Sequence, residues 1–210
     1  MFCSVHLREV CDTKMFGASS VIKALRRLFT AALDEQLLRE RFPHVHFAEG
    51  AIVRGVEKFF PGAGTFIDQR AYLNCAGGKW NGNAGHITLG RNCEIGPYSV
   101  LWGAGGITMG DNVHLGAHVS ITAHEARHIR ANDIDPLKPL EMEFASVVIE
   151  DHVLICSGTV IVPGVRIGHH AMIGGGAVVV DDIPPYSLAV GCPARVVRVV
   201  DGAPPAKVPA

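Results

Sequence analysis

The chain has 210 residues, 24 of them Gly and 12 Pro; 48% are hydrophobic, 19% charged and only 7% aromatic, and the formal net charge is -1. That length suits one ordinary domain with a sizeable core. The near-neutral balance argues against a nucleic-acid binder held by a broad basic surface, and the hydrophobic content argues against disorder. No apolar run approaches the roughly 20 residues of a membrane span, and the first residues, MFCSVHLREVCDTK, lack a secretory h-region, so a cytoplasmic location is expected. The six cysteines, Cys3, Cys11, Cys75, Cys93, Cys156 and Cys192, are scattered with no CxxC pair and read as reduced thiols.

Residues 1–50 form an N-terminal segment containing one amphipathic helix, expected over 19–42. Val21, Leu25, Leu28, Ala32 and Leu37 fall near one face of it, a Ser supplies the N-cap, and Pro43 stops it. From about residue 51 the helical period disappears, and a six-residue period replaces it. Ile149, Ile155, Ile161, Ile167, Ile173 and Val179 are six apart, and Leu89, Ile95 and Leu101 keep the same phase. After a slip of two residues near Gly105-Gly106 the ladder resumes at Met109, Leu115 and Ile121. Small or β-branched residues follow four positions on (Val153, Thr159, Val165, Ala171, Ala177, Ile183).

A period of six fits neither a helix nor a hairpin meander; it describes a solenoid. Each hexad is a short strand and a turn. Three hexads close a triangular coil of 18 residues, and the parallel coils stack at about 4.8 Å. The aliphatic ladder and the small fifth residue point inward, into a core too narrow for rings, and Gly at positions such as Gly90, Gly96, Gly110, Gly116, Gly168 and Gly174 is expected to give the corners positive φ. The solenoid is expected over 51–198. It is broken once, between Ile121 and Ile149, by a polar, charged insertion, which sets an inserted loop at 125–147. A Pro/Ala-rich flexible tail occupies 199–210.

The repeat resembles that of the hexapeptide-repeat, left-handed β-helix acyltransferases, and looks closest to sugar O-acetyltransferases of the maltose/galactoside acetyltransferase and polysaccharide acetyltransferase type. Four segments carry the likeness: ITMGDNVHLGAHVSITAH, the loop after it, VVIEDHVLICSGTVIVPGVRIGHHAMIGGGAVVV, and DDIPPYSLAVGCPARVVR. The resemblance implies an all-β, left-handed parallel β-helix with an N-terminal α-helix. It also implies acetyl-CoA as acyl donor, no required metal, a homotrimer, and a small-molecule or glycan acceptor, with neither nucleic acid nor a membrane span involved. The implied reaction moves acetyl to a hydroxyl of a sugar or polysaccharide precursor.

In similar enzymes a histidine at a strand end, just before the loop, is the general base; His124, in ITAHEA, holds that position. The chemistry asks for it, because an alcohol attacks a thioester poorly until its proton is taken, and an imidazole titrating near ~6.5 can take it. The likeness places Ser157 (in ICSG) and Gly175 (in IGGG) along the CoA arm, and Arg195 and Arg198 (in CPARVVR) near the CoA phosphates, where a guanidinium suits the geometry. Tyr72 and Asn74, in AYLNC, match a Tyr-x-Asn segment on the acceptor side of galactoside-type enzymes, but the 50 residues from Asn74 to His124 exceed that family's spacing by roughly one coil, which would place Asn74 one layer from His124; Trp80 and Trp102 offer stacking faces for a sugar.

The chain departs from the pattern at Leu154 (for the Trp of VWIG), at Val180-Asp181 (for Thr-Lys) and at Cys192 (for Asn or Val), and each departure touches the CoA side. Two other readings compete on the same fold. A γ-class carbonic anhydrase would bind zinc through histidines such as His152 and His170, which are 18 apart. A trimeric scaffold would bind no CoA at all.

Overall fold

The computed structural model describes residues 36–76, 81–82, 84–127 and 141–199. The expected helix from 19 to 35, Trp80, Cys3, Cys11 and the tail from 200 lie outside the described residues. Residues 36–41 are helical, but the buried side chain there is Leu38 (6% exposed) and not Leu37 (54%). Leu38 and Phe42 rest on Phe47 and Phe59, with the Phe42 ring 5.4 Å from Phe59 and 6.4 Å from Phe47. The rings expected to be excluded from the core thus gather at the start of the stack, where the helix and not another coil closes it.

The hexads fold as short parallel strands on three faces: an 8-stranded sheet, a 6-stranded sheet and a 5-stranded sheet. The first coil is His46–Phe47, Ile52–Arg54 and Phe59–Pro61, so the stack starts ahead of residue 51. The second is Phe66–Ile67, Tyr72–Asn74 and Ile87–Leu89; the third is Glu94–Ile95, Val100–Trp102 and Ile107–Met109. The fourth is His114–Leu115, Ser120–Thr122 and Val147–Ile149, and the fifth is Leu154–Ile155, Val160–Ile161 and Arg166–Ile167. In the sixth, Met172–Ile173 and Val178–Val179 are followed by a bridge from Ile183 to Ile167. Ser187–Val190 then extends the first face, and Arg195–Val199 folds back on it antiparallel.

All twelve ladder residues and all six small partners named above are buried. The period therefore marks the core correctly, but the coil length differs from 18 in the first half. Leu154 pairs with Met172, 18 residues on, whereas Glu94 pairs with His114, 20 on. The two extra residues sit at the corner between the second and third faces, where Gly103 to Gly106 had looked like a slip in phase. Every longer insertion uses the same corner.

The glycines that follow the ladder do not serve positive φ. The left-handed positions fall two residues later and are mostly held by other residues: Asn92, Tyr98, Asn112, His118, His152, His170 and Tyr186, with Gly at 158 and 176. Gly90 and Gly110 are required instead by close approach. A Cβ on Gly90 would collide with the backbone of Gly110 in the next coil, and one on Gly110 with Asp151.

Stacked corners also set two chemical environments. Glu150 accepts from the backbone N–H and Nδ1 of His169, both at 2.9 Å, and from Arg166. These bonds, those from His169 above all, hold its carboxyl well below the ordinary 4.5, at about 2. A carboxylate depressed in this way stabilises the fold above its unfolded value, and the contribution disappears as pH falls through the folded one. Glu150→Gln should therefore lower the melting temperature at pH 7, and the gap from the native chain should narrow steadily between pH 4.5 and pH 2. A gap that stays constant over that range would contradict the assignment.

Burial, helped by Glu57, pushes the Cys75 thiol up to about 12, and burial also raises Cys93, while Cys192 is exposed. Iodoacetamide at neutral pH should label Cys192 and spare Cys75 and Cys93 until the chain is unfolded, as read by peptide mass; labelling of Cys75 in the folded chain would be inconsistent with this core.

Candidate active site

His124 stands just beyond the strand Ser120–Thr122, at the corner between the second and third faces. It opens a short strand, His124–Ala126, that pairs antiparallel with Met142–Phe144. The expected loop therefore begins and ends as a hairpin stem, and Val147, its expected last residue, already belongs to the third face. The stem is held by Arg127, whose guanidinium meets Glu141 at 2.9 Å and Glu143 at 3.2 Å. Beneath it, Ala123 donates to the Trp102 carbonyl at 2.9 Å and accepts from Ala145 at 3.2 Å. Gly105 passes against the Ala123 carbonyl so closely that a side chain there would displace the His124 strand.

Trp102 shields one side of the imidazole, with ring centroids 5.5 Å apart at 45°. Partial burial lowers the His124 pKa from its ordinary 6.5, because a desolvated imidazolium is disfavoured. A neutral, half-covered imidazole at the mouth of an insertion can accept a proton from an incoming hydroxyl or amine.

Asn74, Trp102 and Thr122 share one register across three coils. Asn74 therefore lies two coils below His124, with Trp102 between, and not one layer away. Tyr72 packs on Trp102 at 6.1 Å. His124 and the Tyr72–Asn74 segment share a corner but are not brought together.

Ser157 and Gly175 stack at the other end of the second face, at its corner with the first. The Ser157 hydroxyl accepts from the Ala117 N–H at 3.1 Å, and a Cβ on Gly175 would lie 3.2 Å from the Ser157 carbonyl oxygen. One chain does not join this corner to His124. Arg195 and Arg198 lie on the final strand, Arg198 in register with Leu188 and Arg195 with Val190. Arg195 is paired with Asp181 at 3.0 Å, so one of the departures named above contacts a candidate donor residue directly.

A cavity of about 310 Å³ on the first face is lined by Gly64, Phe66, Asn92, Cys93, Glu94 and His114, with Glu94 accepting from or facing His114 Nδ1 at 3.1 Å. It is remote in the fold from the His124 corner of the same chain. Glu94 and His114 are 20 apart, and the two-residue slip near Gly105-Gly106 brings them into register. His152 and His170 do stack, rings parallel at 4.7 Å and 1°, with Tyr186 continuing the pile at 4.9 Å. Among the described residues no group of three His, Cys, Asp or Glu side chains converges as a metal site would require.

Comparison with known proteins agrees with this fold. The sequence profile described as bacterial transferase hexapeptide (six repeats) matches residues 146–181, and that described as hexapeptide repeat of succinyl-transferase matches residues 86–123. The galactoside O-acetyltransferase of Escherichia coli is 40% identical over 98 residues, 45% of this chain and 45% of that protein. A 2,3,4,5-tetrahydropyridine-2,6-dicarboxylate N-acetyltransferase of Brevibacillus brevis is 47% identical over 55 residues, 26% of this chain and 23% of that protein. The aligned chain thus spans less than half the length of these curated relatives. A hexapeptide-repeat-containing acetyltransferase of Vibrio cholerae, solved with acetyl-coenzyme A, superposes with a TM-score of 0.57 at 27% identity over 89% of this chain and 93% of that one. The fold is a left-handed parallel β-helix, and residues 86–123 and 146–181 carry repeats of the kind found in hexapeptide transferases.

Proposed function

We propose that this chain is an acetyl-CoA-dependent acyltransferase that acetylates a hydroxyl of a sugar or polysaccharide precursor, with His124 as general base. The observation that carries the reading is the place of His124: at a strand end, opening the insertion, half-covered by Trp102, on a solenoid whose repeats match transferases. In the reaction the acceptor hydroxyl attacks the thioester carbonyl while His124 takes its proton. The tetrahedral intermediate then collapses, the C–S bond breaks, and the imidazolium returns the proton to the departing thiolate. No metal is needed for that sequence of steps.

Ser157, Gly175, Arg195 and Arg198 are read as the donor side, and Tyr72 and Asn74 as the outer end of an acceptor groove reached across Trp102. The His124 corner and the Ser157–Gly175 corner flank the same face. That face carries Tyr72, Val100, Val160 and Val178 outward, an apolar surface suited to a second copy. A homotrimer would close a groove between one copy's His124 corner and its neighbour's donor corner. No helix among the described residues is long and apolar enough to cross a membrane, and a cytoplasmic location, where acetyl-CoA is made, fits the reading.

The test is thiol release from acetyl-CoA over a panel of sugars, amino sugars and glycan precursors. Hydroxyl-dependent release that vanishes in His124→Ala supports the proposal. Release only with amines would move the acceptor to nitrogen. A chain that binds no CoA would be a scaffold.

A further inference from the structure

Asp181 and Arg195 meet where the solenoid ends. Asp181 follows Val178–Val179 at the same corner as His124, two coils beyond it, about 10 Å along the axis at the usual strand spacing. Arg195 opens the last strand, and the two segments are tied through one residue: Val178 donates to Gly191 at 3.0 Å and accepts from Ala194 at 2.7 Å. Nη1 of Arg195 donates to Asp181 Oδ2 at 3.0 Å and to the Ala194 carbonyl at 2.8 Å. Its Nε and Nη2 make no hydrogen bond among the described residues.

A guanidinium grips phosphate best with two parallel N–H bonds. Here one of its nitrogens is already turned to a carboxylate, and that carboxylate sets a negative charge where a phosphate would arrive. The pair is well solvated, with side chains 61% and 68% exposed, so the contact is weak enough for a ligand to displace but must be broken each time. The rest of this end offers Arg198 as further positive charge.

We infer that Asp181 competes with the phosphates of the acyl donor for Arg195, and so sets how strongly the chain holds a phosphate-bearing thioester. Asp181 is a specificity residue that acts through Arg195 and does not touch the reacting atoms. The inference rests on the reading of the chain as a CoA-dependent acyltransferase.

The experiment is CoA binding by calorimetry at several salt concentrations for the native chain, Asp181→Asn, Arg195→Gln and the double variant. Asp181→Asn should tighten CoA about three- to ten-fold at low salt. The gain should shrink as salt rises, because exposed charges are screened, and most of it should be absent in the Arg195→Gln background. No tightening, a gain indifferent to salt, or a gain that persists without Arg195 would each overturn the inference. If neither the native chain nor any variant binds CoA at millimolar concentration, the CoA-dependent reading fails and this inference fails with it; binding with an unmoved affinity strikes Asp181 alone.

Discussion

His124→Ala should lose about a hundred- to ten-thousand-fold in kcat for acetyl transfer, the range a positioned general base supplies. The loss should come without unfolding. His124 is only partly buried, and the backbone bonds beneath it, from Ala123 to Trp102 and Ala145, do not involve its side chain. The circular dichroism spectrum and melting temperature should stay close to native. The pH dependence adds a second signature. Only the neutral imidazole accepts a proton, so kcat/KM should rise with pH through the His124 pKa. Burial lowers that pKa from 6.5, and the plateau should therefore be reached at lower pH than an unperturbed histidine would allow. Trp102→Ala, which uncovers the ring, should move the rise back toward the ordinary value. Near-native turnover in His124→Ala would remove the base from the mechanism, whatever the fate of the donor site.

Ile155→Ala should cost about 2–5 kcal/mol of stability, and Leu154→Ala should cost well under half of that. The two residues are neighbours on one short strand, yet Ile155 is fully buried between Leu115 and Ile173 while Leu154 is 38% exposed. The contrast comes from the strand's alternation: one step along the chain turns a side chain from the interior to solvent. Urea unfolding of both variants reads it directly. Because each coil rests only on its neighbours, the Ile155 cavity should also weaken the coils on both sides, so hydrogen exchange should quicken at the amides of Leu115 and Ile173 before the first coil responds. Equal costs for the two substitutions would mean that the register is wrong.

Much of the solenoid is legible in the sequence. The ladder from Leu89 to Val179 named the interior residue by residue, since a solenoid core repeats one instruction and a period is easy to read. The position of His124 at the mouth of the insertion was legible because the ladder stops just before it. The handedness came from family likeness alone; alternation and spacing are the same in either hand. What escaped the sequence escaped for stated reasons. The two-residue slip near Gly105-Gly106 was visible as a break in phase, but not that it lengthens the third coil to 20 residues at one corner. The longer excursion between Asn74 and Ile87 is what carries Asn74 two coils from His124. The glycines after each ladder residue looked like turn formers, but the constraint on Gly90 and Gly110 is the backbone of the next coil, which no single hexad reveals. Leu37 and Leu38 are adjacent on the helix, and only the packing on Phe47 and Phe59 decides which is buried. The link between Asp181 and Arg195 depends on the chain folding back after Gly191, a turn no period describes.

Every departure from the 18-residue coil occurs at one corner, between the second and third faces. At the fourth coil the departure is closed by its own hairpin, so the chain leaves after Ala123 and returns at Ala145, with those two residues bonded to each other. The stack thus does not register how much chain runs between them: Thr122 and Val147 hold their places in the sheets for any length of excursion. Such a corner works as a socket. Segments of different length and composition could be exchanged between the two stem strands, altering what reaches His124, while the melting temperature continues to report only on the coils.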